Sequence, residues 1–204
     1  MKWNCLVLIF SFLLACSADA VPVELRKNGV LKVENLTFSL GFYNPKWVFG
    51  SHNVSIKMQS ESQREGIFRV PGGEFRFTET LTKVSARQWN LKIRLDSDRA
   101  VETNQLFLGT DSPHLLTSGI SVDGKHFAFP ENWNGKMLHP FPERAHQVEI
   151  PMMEGRLKIA GTFGIWYQDN RQWHSEKASV RFLFTPSKGK IRTAELNLTL
   201  EWLG

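Results

Sequence analysis

Cysteine is nearly missing from this 204-residue chain: Cys5 and Cys16 are its two, both close to the N-terminus. Beyond them no disulfide, thiol nucleophile or cysteine metal site can be built, so residues 21–204 must hold together by packing, for which their number suffices. Clustered positive charge is missing too. The formal net charge is +5, yet lysines and arginines are dispersed among acids, with no run of five, which excludes the basic face that nucleic acid demands. The chain also lacks a long apolar run: the longest, Cys5–Ala15, has 11 residues, against roughly 20 for a bilayer span. Catalytic signatures are absent as well. There is no E-x-D-x-x-E of concanavalin-like retaining glycosidases, no G-x-S-x-G, no H-E-x-x-H and no phosphate-binding glycine loop.

The N-terminus reads as a signal peptide over residues 1–20. Lys2 supplies the positive start, Cys5–Ala15 (CLVLIFSFLLA) the apolar segment, and Ala18-Asp19-Ala20 the small residues of a cleavage site, with Val21 as the first mature residue. Loss of Lys2 and Asp19 leaves the net charge unchanged. Leu13-Leu14-Ala15-Cys16 resembles the bacterial lipoprotein box and offers a second processing point, at which a lipid on Cys16 would be the protein's one attachment to a membrane. The mature chain is therefore expected outside the cytoplasm: secreted, periplasmic, or lipid-anchored to the envelope.

After residue 20 the apolar residues alternate with period two. Phe75, Phe77 and Leu81 form one set; Trp89, Leu91, Ile93 and Leu95 another. Leu157 and Ile159 lead through Gly161 to Phe163, Ile165 and Tyr167, followed by Val180, Phe182 and Phe184, and by Leu196, Leu198, Leu200 and Trp202. Each run predicts a half-buried antiparallel strand. Asn44-Pro45, Pro71-Gly72-Gly73, Asp123-Gly124, Asn134-Gly135 and Lys188-Gly189 supply turns, and Asp96-Ser97-Asp98 reads as one more. The expected fold is all-β: a single domain, residues 21–204, of about ten to twelve short strands in an antiparallel two-sheet, jelly-roll-like β-sandwich. His126–Arg144 (HFAFPENWNGKMLHPFPER) is the one long stretch without a pattern, and a loop of that length points to function.

Three stretches, GGEFRFTETLTK, AVETNQLFLGTD and GTFGIWYQDNRQW followed by SVRFLFTP, together resemble accessory β-sandwich segments of large secreted glycan-degrading bacterial proteins. The resemblance covers roughly Gly73 to Pro186. It implies a carbohydrate context and carries over no catalytic residue.

The residues themselves leave three functions open. Pyranose rings stack on indoles, while their hydroxyls bond to Asp, Asn, Gln and Arg side chains. Six of the seven tryptophans follow the signal peptide. Trp89 and Trp202 share the parity of aliphatic neighbours and belong to the core. Trp166 has the opposite parity from Ile165 and Tyr167 and should face out; Trp47, Trp133 and Trp173 sit in loop-like segments. A ligand surface of Trp166, Trp173 and Trp133 with Gln168, Asp169 and Arg171 follows, and polysaccharide as the partner. Alternatively, Tyr167–His174 supplies the base and the charge-neutralising groups of a polysaccharide lyase, or acids such as Glu131, Glu143 and Asp169 serve a hydrolase, whose two carboxylates must lie at a set separation. The third reading is a structural or adhesive envelope protein. No cofactor is expected beyond a structural calcium ion at Asp96, Asp98, Asp111 or Asp123, none of which forms a twelve-residue calcium loop. Mass spectrometry of protein exported by its native host should find Val21, or lipidated Cys16, at the N-terminus; an intact Met1 would overturn export.

Overall fold

Alternation of apolar and polar side chains makes strands with one wet and one dry face, and such strands must shelter the dry face by curling together. A computed structural model of the chain describes residues 23–26, 30–49, 53–139, 141 and 144–204. The expected signal peptide, with Cys5, Cys16 and Val21, lies outside the described residues. The strands are β1 (Val23–Leu25), β2 (Val30–Val33), β3 (Leu36–Tyr43), β4 (Asn53–Gln59), β5 (Gln63–Val70), β6 (Gly73–Lys83), β7 (Gln88–Thr103), β8 (Gln105–Ser112), β9 (Ile120–Val122), β10 (Lys125–Phe127), β11 (Ala145–Met152), β12 (Gly155–Asp169), β13 (Ala178–Leu183) and β14 (Gly189–Leu203). Among the described residues the one short α-helix, α1 (Pro113–Ser118), is capped by Ser112, whose hydroxyl accepts from the His114 N–H. It is too short to cross a membrane.

The protein is all-β, and its antiparallel strands form one curled sheet in the order β1-β2-β3-β8-β13-β12-β14-β7-β6-β5-β4, with β11, β9 and β10 branching from β12. Strand β12 changes partners along its length. Arg156–Gly161 pair with β14, and Gly164–Asp169 pair with β13. Inward residues from every part of the path gather in one core, in which Trp89 and Trp202 are buried beside Leu91, Ile93, Leu198 and Leu200.

The strands are longer than the alternation predicts. β7 does not end at Asp96-Ser97-Asp98 but runs on to Thr103, and its ladder with β14 shifts register between Ile191 and Thr193. The acids are accommodated there as a bulge: Asp96 takes hydrogen bonds from Arg94 and Thr193, and Asp98 pairs with Arg76. The turns at Pro71-Gly72 and Asp123-Gly124 form as expected, with Gly72 and Gly124 in the left-handed conformation that glycine tolerates.

A buried arginine, paired with a carboxylate on the neighbouring strand, ties the path's two ends together. Arg64 on β5 and Glu79 on β6 are 2% and 1% exposed and in direct contact through Nη2 and Oε2. Arg64 Nη1 also donates to the carbonyls of Arg26 and Val30, which bracket the β1–β2 turn, at 2.9 and 3.0 Å. From β4, Gln59 donates to the Leu25 carbonyl. Burial pushes the Glu79 pKa up, while the charge and hydrogen bond of Arg64 pull it back. Arg64→Met or Glu79→Leu alone should each cost about 3–5 kcal/mol in chemical denaturation, because each strands a buried charge. The double substitution should cost much less than their sum; simple additivity would show that the two groups do not act as a pair.

Candidate functional site

The outward face of β3, β8, β13 and β12 is set by register. Gly41 on β3 opposes Phe107 on β8, which opposes Leu183 on β13, which opposes Gly164 on β12. The next row is Ser39, Gly109, Arg181 and Trp166; beyond it Asp111 faces Ser179, which faces Gln168. The glycines make room for the aromatics. A Cβ on Gly41 would lie 2.2 Å from Cε2 and Cζ of Phe107, and one on Gly109 would lie 2.9 Å from the same ring. Phe107 therefore lies down over the sheet, and Tyr43 stacks on it with centroids 5.9 Å apart and planes at 25°.

Arg181 leans on both rings, its Cζ 4.9 Å from the Tyr43 centroid and 5.0 Å from that of Phe107. Its guanidinium donates to Gln105 Oε1 at 3.1 Å and to the Tyr43 hydroxyl at 3.2 Å. Burial pushes the Arg181 pKa down, partly offset by Tyr43.

Two loops raise walls over this floor. After β3, the side-chain carbonyl of Asn44 accepts from the N–H groups of Lys46 and Val48, both at 2.9 Å. This knot holds Trp47 at φ 61, a strained conformation for a bulky residue. Its indole is half exposed, 5.2 Å from that of Trp166, and Phe49 packs on Tyr43 beside it. On the other side, a 3-10 turn over Arg171–Trp173 lifts Trp173 into solvent. A polar chain lies between: Gln168 donates to Asn170, which donates to Ser179. The result is an open groove of about 540 Å³ whose walls include Tyr43, Trp47, Phe107, Gln168, Trp173 and Arg181.

Of the residues expected at a ligand surface, Trp173 and the buried Gln168 line this groove; Trp166 does not line it and lies half-buried against Trp47. Asp169 and Arg171 do not line the groove. Asp169 shares the inward parity of Tyr167, is fully buried, and holds Arg171 in a fork of contacts that raises the pKa of the guanidinium. Arg171 in turn donates to the carbonyls of Pro130 and Glu131. With the Leu138–Gln168 bridge and the stacking of Phe129 and His139 on Tyr167, the pair pins the segment after β10 to the edge of β12. That segment is fastened to the sheet despite its lack of strand pattern. Trp133 stands on it, exposed and outside the groove lining.

Tyr167 is buried and its hydroxyl donates to the Leu115 carbonyl at 2.5 Å; burial, with the nearby charge of Asp169, raises its pKa. It cannot reach a surface substrate. Glu143 lies outside the described residues, and the Glu131 backbone serves Arg171. The acids named for calcium are dispersed: Asp111 pairs with Lys177, and Asp123 accepts from the N–H groups of His146 and Gln147. Among the described residues no three potential metal ligands gather.

Sequence reasoning passed over Tyr43, Phe107 and Arg181. Two of the three carried a signal: Phe107 breaks the parity of Leu106 and Leu108, and Arg181 interrupts an apolar run between Val180 and Phe182. A larger cleft, about 890 Å³, opens where β12 passes from β14 to β13, lined by Thr162, Leu183, Thr185, Glu195 and Asn197 among others. Among the described residues it has no exposed aromatic wall. Comparison with protein-family models and with curated proteins finds no match for this chain.

Gly41→Ala should cost about 1–3 kcal/mol by driving Phe107 off its seat. Combined with Phe107→Ala, it should add almost nothing to the cost of Phe107→Ala alone in urea melts. An undiminished penalty would mean that the ring does not depend on this glycine.

Proposed function

We propose that the chain is an exported, non-catalytic carbohydrate-binding protein that acts on polysaccharide, with the groove over β3, β8, β13 and β12 as its ligand face. In this reading the two halves of the curled sheet stack as a jelly-roll-like sandwich, and the sugar lies on the outside of one leaf. The observation that carries the proposal is the lining of the groove. The indoles of Trp47 and Trp173 stand exposed above a floor of Tyr43 and Phe107, with Gln168, Asn170, Ser179 and Arg181 within the same groove. Apolar ring faces flanked by amide, hydroxyl and guanidinium donors match the alternating C–H faces and hydroxyls of a pyranose. The groove is open, as a polymer chain requires.

Two features favour binding over turnover. Asp111 is the one carboxylate among the described residues lining the groove, and it is paired with Lys177. A glycosidase needs two such groups. A lyase built on Tyr167–His174 would need Tyr167 at the surface, and it is in the core. An adhesive role, in which the same aromatic surface meets a protein, remains the competing reading.

Trp47→Ala should weaken polysaccharide binding about tenfold, the loss of one stacked ring, with little change in melting temperature because the indole is half exposed. Trp89→Ala should instead cost about 3–5 kcal/mol of stability by opening a core cavity. Pull-down on insoluble and soluble polysaccharides, beside calorimetric melting, separates the two effects. Retention of no polysaccharide by the parent protein would sink the proposal.

A further inference from the structure

Charge inside this protein is nearly always answered by charge. The buried Arg64 and the half-buried Arg171 each hold a carboxylate, Glu79 and Asp169 respectively. Arg181 is the exception. It is 6% exposed, yet no carboxylate lies within salt-bridge distance of it among the described residues. A guanidinium stays charged in any protein environment, and burying one without a counter-ion is costly. Its partners are neutral: the Gln105 side-chain carbonyl, the Tyr43 hydroxyl and two aromatic faces. They hold the group in position and take two of its five donors, without neutralising it. Asp111, the acid of the groove, opposes Ser179 rather than Arg181 and is turned to Lys177 at 3.3 Å.

We infer that the groove takes a carbohydrate bearing an anionic group, a uronate carboxylate or a sulfate ester, which supplies the counter-charge that Arg181 lacks. This rests on the reading of the groove as a sugar site and names the class of sugar. Both anions present paired oxygens that match the guanidinium fork. A ring stacked on Trp47 projects its substituents toward the floor, where Arg181 lies, so ring and charge are read by different walls of one groove. The net charge of +5 favours approach of an acidic polymer.

The test is titration calorimetry of the mature chain with trigalacturonate, its carboxyl-reduced galactose counterpart, and a sulfated galactan oligosaccharide. The parent should bind at least one acidic sugar about ten- to hundredfold more tightly than the neutral one, as expected of a charge-assisted contact. The preference should fall with added salt, and the better acidic ligand distinguishes carboxylate from sulfate. Arg181→Gln should abolish the preference, bringing acidic and neutral affinities together, whereas Trp47→Ala should weaken both and keep their ratio. Equal binding of the neutral and acidic sugars by the parent would overturn the inference and leave the groove as a sugar site. Binding of none would overturn the inference, and failure of the parent also to retain any polysaccharide in pull-down would overturn the groove as a sugar site. Should Arg181→Gln fail to fold, the parent's acidic-to-neutral ratio and its salt dependence decide the question alone.

Discussion

A sheet that curls without closing has two ends, and here they are held by the reach of Arg64, charge-balanced by Glu79 on the neighbouring strand, to backbone carbonyls at β1–β2. Edge strands carry unpaired backbone groups, a standing invitation to mispairing. In this protein the ends of the path, β1–β2 and β5–β4, are joined by side chains reaching across: Arg64 to two carbonyls, Gln59 to a third. Arg64 can do this only because Glu79 neutralises it inside the core. The clasp is fastened to the β1–β2 hairpin, which pairs with β3, and β3 brings Tyr43 to the groove and seats Gly41 beneath the Phe107 ring. A charge pair far along the path from the aromatic surface thus fixes one edge of it.

Strand β12 divides two tasks between its faces. Tyr167 and Asp169 point inward and fasten the segment from Phe129 to His139; Trp166 and Gln168 point outward into the aromatic surface. A slip of one residue would exchange these sets. The register is secured on the core side by Ile165 and Phe163, and on the outer side by Gly164, which leaves room for the Leu183 side chain of β13.

Much of the fold was legible in the sequence because it is written in parity. Alternation located the strands, assigned Trp89 and Trp202 to the interior and turned Trp166 outward. What escaped was decided by contacts between distant segments. Glu79 sits on the inward parity of Phe75, Phe77 and Leu81, but a carboxylate there is tolerable only against Arg64, fifteen positions earlier on another strand. Asp96 and Asp98 look like a turn until Arg94, Arg76 and Thr193 receive them within a bulge. Asp169 and Arg171 have the residue types of a sugar site, yet parity placed Asp169 inside, where Arg171 joins it. Arg181 and Trp47 become neighbours of Trp166 only once β3, β8, β13 and β12 lie side by side, an ordering that periodicity along one strand does not encode.

The partner exchange of β12 also governs how this molecule comes apart. Gly161 and Gly164 stand at the crossover, where a Cβ would meet the Asn197 carbonyl on one side and the Leu183 side chain on the other. One continuous strand is therefore hydrogen-bonded into both halves of the sheet, and neither half has a boundary at which it could melt while the other persists. Disorder entering at β13 runs down the same backbone into the ladder with β14. The shared strand couples the two halves, so the aromatic groove and the ion-pair clasp are expected to be lost together on heating.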